Sequence, residues 1–327
     1  MEYIKSIRPF TLSISAITVM LATAFCGQHM FQSEGFVRVL LMGLLMQAGG
    51  NLTNTYIDFY KGVDNKNSGE RTLVESKLPA SHVVLLSVVC YVLSAVAVWP
   101  FLAPMSSCGV DELCYPLRKL YLAGLCLTVL YTTLKYKALG GVAVMLCFGP
   151  ILMQFAILVL TGSMKMSAYI LSFVTGSLAW AMYHANDARD INSDTMAGVT
   201  TLATLLGYER SYFFFIFLVT TPFVATFILG TFFYWGCFVG FAGMPDGQHL
   251  IALYQRNKLE NLPSEVHRLL ILMSILLALG VMYTPNENFL DFSVRKDFGN
   301  LGHSFLKLLP EAVVAQIEEI GKFLLDV

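Results

Sequence analysis

Two polar blocks interrupt a chain that is otherwise mostly apolar, and both are rich in carboxylates. The first runs from Gly49 to Lys77 and contains Asn54, Asp58 and Asp64. Asn54 and Asp58 are four residues apart and share one face of a helix. Gly62 is placed to end that helix, with Asp64 just beyond it. The second block, His184 to Asp194, carries Asn186, Asp190 and Asp194 at steps of four along one face. Acids at the ends of membrane-like helices are costly unless they hold something. Clustered carboxylate oxygens suit Mg2+, a hard cation usually bound through one or two carboxylates plus substrate phosphates. The expectation is a membrane enzyme that binds Mg2+ and a diphosphate between two acid clusters.

A departing diphosphate also needs cations where its charge develops. Lys61, Arg71, Lys135, Lys137 and Arg189 are the candidates, with Arg189 favoured because it lies inside the second block. For each, the competing reading is a topology determinant in a short loop. An allylic cation needs aromatic faces in a dry cavity. Tyr56 and Tyr183 lie within a helical turn of the motif acids and are the expected pocket aromatics. Most of the 24 Phe, 15 Tyr and 3 Trp must instead pack between helices or face lipid. His184 is as readily a structural residue at a helix end as a base, and no His is assigned to metal.

These residues must be carried by membrane helices. The 327-residue chain is 56% hydrophobic and 13% charged, about half the charge content of a soluble domain. A net charge of -1 argues against a nucleic-acid binder. The first apolar run continues too far for a cleavable signal peptide and reads as a spanning helix. Nine apolar runs are long enough to span: 10–28, 36–58, 82–103, 119–134, 138–161, 167–185, 210–231, 233–254 and 266–284. The eighth is interrupted by Pro245 and Gly247. The fold class is therefore all-α, a polytopic bundle of about nine transmembrane helices around a central cavity. With the N-terminus inside, 13 of the 21 Lys and Arg fall on the inner side, 4 on the outer side and 4 in the tail. That bias puts both acid blocks on the cytosolic face, in agreement with a shared site. Residues 1–284 form one transmembrane domain and 285–327 a tail, where apolar residues from Leu301 onward recur at helical spacing. The seven Cys are scattered and read as buried thiols, although Cys108 and Cys114 share a loop and could pair.

Asn54-Thr-Tyr-Ile-Asp58-Phe-Tyr-Lys-Gly-Val-Asp64, continuing to Arg71-Thr-Leu-Val, resembles the first Asp-rich motif of the UbiA superfamily of intramembrane prenyltransferases. Asn186-Asp-Ala-Arg189-Asp190-Ile-Asn-Ser-Asp194 resembles the second, and Arg8-Pro9-Phe10 the family's opening. The likeness covers residues 8–284 and is greatest to the menaquinone branch, bacterial MenA and its animal-type counterparts. The resemblance implies that Asp58, Asp64, Asp190 and Asp194 hold Mg2+ on the diphosphate, with Asn54 and Asn186 completing the motifs. Asp187 departs from the residue type expected in the animal-type branch, and either binds metal or faces water. The implied reaction moves a polyisoprenyl group, geranylgeranyl by expectation, from its diphosphate to a naphthoquinol such as menadiol, giving a menaquinone (vitamin K2). The implied setting is the ER or Golgi membrane, with a bacterial inner membrane as the alternative. A sterol-pathway membrane partner is a further implication of the animal-type likeness. The competing readings are another aromatic acceptor, 4-hydroxybenzoate or homogentisate, and a polytopic transporter whose intramembrane acids relay ions.

Overall fold

The computed structural model describes residues 2–62, 73–75, 77–103 and 111–284. Asp64, Arg71, Cys108 and the tail 285–327 therefore lie outside the described residues. Among those described, every regular element is helical: α1 Glu2–Ile7, α2 Pro9–Cys26, α3 Glu34–Tyr60, α4 Ala80–Leu102, α5 Asp111–Lys135, α6 Gly140–Leu146, α7 Leu152–Thr161, α8 Met166–Arg189, α9 Ile191–Met196, α10 Leu202–Phe232, α11 Met244–Gln255 and α12 Leu262–Met282.

The helix boundaries follow local chemistry. Ser33 caps α3 by accepting from the Phe36 amide at 3.1 Å, and Glu34 in the first turn pairs with Arg38 one turn on. Thr201 and Thr204 cap the start of α10 reciprocally. Gly62, at φ +71°, lets the chain leave the end of α3 through the left-handed region.

The nine expected runs are all present as helical segments. Seven are long and apolar enough to cross a bilayer by themselves. The sixth is α8, whose 24 residues span about 36 Å. Most of α8 is buried, packed against α10, α12, α6 and the break between α6 and α7. Facing protein rather than lipid, it can carry Ser, Thr, Gly and the second acid block. The eighth segment is divided: Trp235–Gly243 is a 3-10 helix, and α11 follows with Pro245 in its first turn. Pro at that position forgoes no intrahelical bond, so it starts a helix here instead of kinking one.

The fifth segment is broken at Cys147–Ile151, a π-helical stretch joining α6 to α7. Pro150 removes a donor, and Gly149 leaves helical geometry. Beside this break the Phe148 carbonyl accepts from the hydroxyls of Thr175 (2.8 Å) and Thr18 (3.2 Å). An unpartnered carbonyl at membrane depth would cost several kcal/mol, which these two hydroxyls offset. Gly149 and Gly176 of α8 meet there, and a Cβ on Gly176 would stand 2.8 Å from the Met145 carbonyl oxygen. Small residues are what allow two membrane helices this close.

Candidate active site

One face of α3 carries a polar ladder, Gln47, Asn51, Asn54 and Asp58, all buried. The intervals of four, three and four match the helical repeat. The ladder faces a cavity of about 830 Å3 bounded by α2, α3, α5, α6, α7 and α8 and by α9. Its inner part is apolar, walled by Met42, Met46, Leu120, Leu127, Val144, Ile151, Leu152 and Phe155. Its other end gathers Arg8, Asn54, Asp58, Lys135, Asn186, Asp187, Arg189, Asp190, Ser193 and Asp194.

Asp58 is gripped from two helices. Its Oδ2 accepts from Asn54 Nδ2 at 2.9 Å, and Lys135 Nζ lies 3.8 Å from the same oxygen. Its Oδ1 accepts from the Tyr136 hydroxyl. Asn54 Oδ1 in turn accepts from Thr132 at 3.1 Å, so α5 orients both Asn54 and Asp58. Lys61 does not enter the cavity wall: its ammonium lies 4.1 Å above the Tyr136 ring, a cation–π contact on the rim.

The second block is not one continuous helix. α8 ends at Arg189, Asp190 is the boundary residue, and α9 resumes at Ile191. The Asp194 amide still donates to the Asp190 carbonyl at 2.9 Å, so the step of four survives the break. Arg189 bonds both oxygens of Asp190, at 2.8 and 2.7 Å. Asp194 senses both blocks. Burial holds its carboxyl above the usual range, opposed by Lys135, while the charges of Asp190 and Asp58 push it further up. The two acid blocks thus meet across one end of one cavity.

Among the expected site residues, Asn54, Asp58, Lys135, Tyr183, Asn186, Arg189, Asp190 and Asp194 all line the cavity. Tyr56 does not: it points away, stacked on Tyr60 and packed on the small apolar cluster of Leu52, Leu73 and Leu78. Lys137 is also absent from the wall, two residues past the end of α5. His184 is buried on the side of α8 that faces α10, with Nε2 3.2 Å from the Ser211 carbonyl oxygen and its ring against Phe214, a packing role. The residues that sequence reasoning missed are Arg8, Gln47, Asn51, Tyr131, Thr132 and Tyr136. Tyr131 lines the wall edge-on to Tyr183, ring centres 5.8 Å apart. The spacing of Gln47 and Asn51 relative to Asn54 and Asp58 was a readable signal.

The donor set at the polar end can be tested against a metal. Among the described residues no three acid, His or Cys side chains converge closely enough to hold an ion alone. Dispersed carboxylates are what Mg2+ uses when phosphates complete its shell, so the residues fit that ion with a phosphorylated ligand and not as a protein-only cage.

A family model described as the UbiA prenyltransferase family matches residues 15–276. UbiA prenyltransferase domain-containing protein 1 of Danio rerio is 31% identical over 292 residues, covering 86% of this chain and 84% of that protein. The Homo sapiens protein of the same name is 30% identical over 299 residues, covering 87% and 84%. Among solved structures, an apo UbiA homolog from Aeropyrum pernix K1 superposes with a TM-score of 0.63 at 12% identity, over 83% of this chain and 97% of that one. A UbiA homolog from Archaeoglobus fulgidus bound to GPP and Mg2+ gives 0.53 at 14% identity, over 86% and 99%. At such identities the likeness is one of fold.

Proposed function

Because the chain belongs to the UbiA prenyltransferase family, we propose that it transfers a geranylgeranyl group from its diphosphate to a ring carbon of a naphthoquinol, giving a menaquinone. The observation that carries this reading is the joining of both acid blocks at one end of a cavity whose other end is walled by Met42, Leu120, Leu152 and Phe155. The polar end suits a diphosphate and the apolar wall an isoprenoid chain.

Asp58, Asp190 and Asp194 would hold Mg2+, with Asp64 assigned to the same task by its place in the first motif. Bound there, Mg2+ supplies charge neutralisation for the leaving diphosphate. Lys135 and Arg189 stand at the same end and add cationic donors, each now paired with a motif carboxylate. The bond from the allylic carbon to the diphosphate oxygen breaks, a carbon–carbon bond forms to the acceptor ring, and the ring carbon releases its proton. Tyr131 and Tyr183 present aromatic faces to the allylic cation, and the apolar wall excludes water that would capture it.

The naphthoquinol assignment rests on the Lys61-Gly62-Val-Asp64 spacing and the run to Arg71-Thr-Leu-Val74, which resemble the menaquinone branch. The same resemblance supports an ER or Golgi location with the acid blocks facing the cytosol. A sterol-pathway partner would act on this protein without altering the chemistry. The test is an incubation of purified protein, Mg2+ and labelled geranylgeranyl diphosphate with menadiol, dihydroxynaphthoate, 4-hydroxybenzoate and homogentisate in competition. Menadiol kept reduced is the expected acceptor. Preference for a benzenoid acid would leave prenyl transfer standing and remove the naphthoquinol.

A further inference from the structure

Arg8 sits at the elbow between α1 and α2 in a conformation few non-glycine residues adopt, φ 57° and ψ 67°, immediately before Pro9. Such a backbone costs on the order of 1–3 kcal/mol and persists only where its surroundings impose it. Here α3 imposes it. Asn51 Nδ2 donates to the Ile7 carbonyl at 2.7 Å, on one flank of Arg8, and to the Thr11 hydroxyl at 2.9 Å, on the other. That hydroxyl donates to the Arg8 carbonyl at 2.9 Å, as does the Thr11 amide at 3.0 Å. One turn back along α3, Gln47 Nε2 donates to the Thr11 carbonyl at 2.6 Å. The elbow is therefore bonded on both sides to the ladder that carries Asp58. Its effect is to bring Arg8 into the wall of the cavity that Tyr131 and Tyr183 also line.

We propose that Asn51 is a positioning residue: by fixing the left-handed elbow it sets the Arg8 guanidinium in the cavity to bind the anionic group of the substrate. The role rests on the diphosphate reading of the polar end. A guanidinium offers a phosphate a planar, two-pronged donor, and that placement is lost if the backbone of the elbow relaxes. Asn51 supplies both donors from one amide nitrogen, so no aliphatic residue of its size can replace it.

The test is a double-mutant cycle on the full-length protein in detergent, reading the dissociation constant of Mg2+ with inorganic pyrophosphate. Arg8→Ala is expected to weaken binding by about tenfold or more, the loss of a charge-assisted hydrogen bond. Asn51→Leu should weaken it comparably, and the double variant should be no weaker than Arg8→Ala alone. KM for geranylgeranyl diphosphate should rise in the same pattern. Thr11→Val, which cuts the same linkage without touching Asn51, should act in the same direction and replaces Asn51→Leu in the cycle if that variant does not fold. Multiplying losses in the double variant, or unchanged binding in Asn51→Leu, would overturn the proposal. Absence of pyrophosphate binding by the unmodified protein would instead overturn the proposed function, and Arg8's role with it.

Discussion

The hydroxyl of Tyr136 donates to Oδ1 of Asp58, so a residue just beyond α5 occupies one of the two oxygens of the first motif's buried carboxylate. Any cation that binds Asp58 through that oxygen competes with the phenol. Tyr136→Phe is therefore expected to lower the Mg2+ concentration giving half-maximal rate by about tenfold, since a hydrogen bond to a charged group contributes about 1.5–3 kcal/mol. A Mg2+ titration of initial rates checks it: an unchanged requirement would show that the phenol does not compete with the ion, and an increased one that Tyr136 supports it.

Asp58→Asn and Asp190→Asn should each reduce turnover at least about a hundredfold, the scale of losing an electrostatic stabiliser at the reacting group. Both keep side-chain shape, so thermal unfolding should shift by only a few degrees, about 1 kcal/mol of stability. Near-wild-type turnover in both variants would falsify the two-block site.

Topology gives an independent check. Lys61→Cys on the rim and Met196→Cys, whose side chain is exposed at the end of α9, should both be labelled by an impermeant thiol reagent from the cytosolic side of sealed membranes. Labelling from opposite sides would contradict the common end of the cavity.

Gly176→Ala places a methyl group 2.8 Å from a backbone oxygen of Met145, a contact no side-chain rotation relieves. Overpacking of this kind costs about 1–3 kcal/mol. The variant should unfold at lower temperature in detergent while its apparent Mg2+ affinity stays near normal, because no motif residue moves directly.

Much of this was legible in the chain. Apolar runs reveal helices well where lipid demands apolarity, and all nine were located. The carboxylates stood out because charge is rare at membrane depth. Tyr56 was misplaced because sequence distance from Asp58 says nothing about azimuth: two residues along a helix points to the far side, toward Leu52 and Tyr60. Tyr136 was passed over for the opposite reason, since its partner is on another helix, 78 residues away. Lys61 and Lys137 were taken as site cations from their loops, yet the direction of a side chain after a helix end depends on turn geometry that composition does not encode. The break between α8 and α9 left no proline or glycine to mark it.

The interruption at Cys147–Ile151 bears on which changes in chain length this protein can accept. Cys147, Phe148 and Ile151 lie in the cavity wall, and the Phe148 carbonyl is keyed to Thr18 and Thr175 on two other helices. Each added residue turns a helix by about 100°. A single-codon insertion or deletion within 140–161 would then swing half of that wall toward lipid while the keyed joint holds the other half still. Single substitutions along this segment leave that joint in place, whereas a change in its length is expected to disrupt the cavity wall.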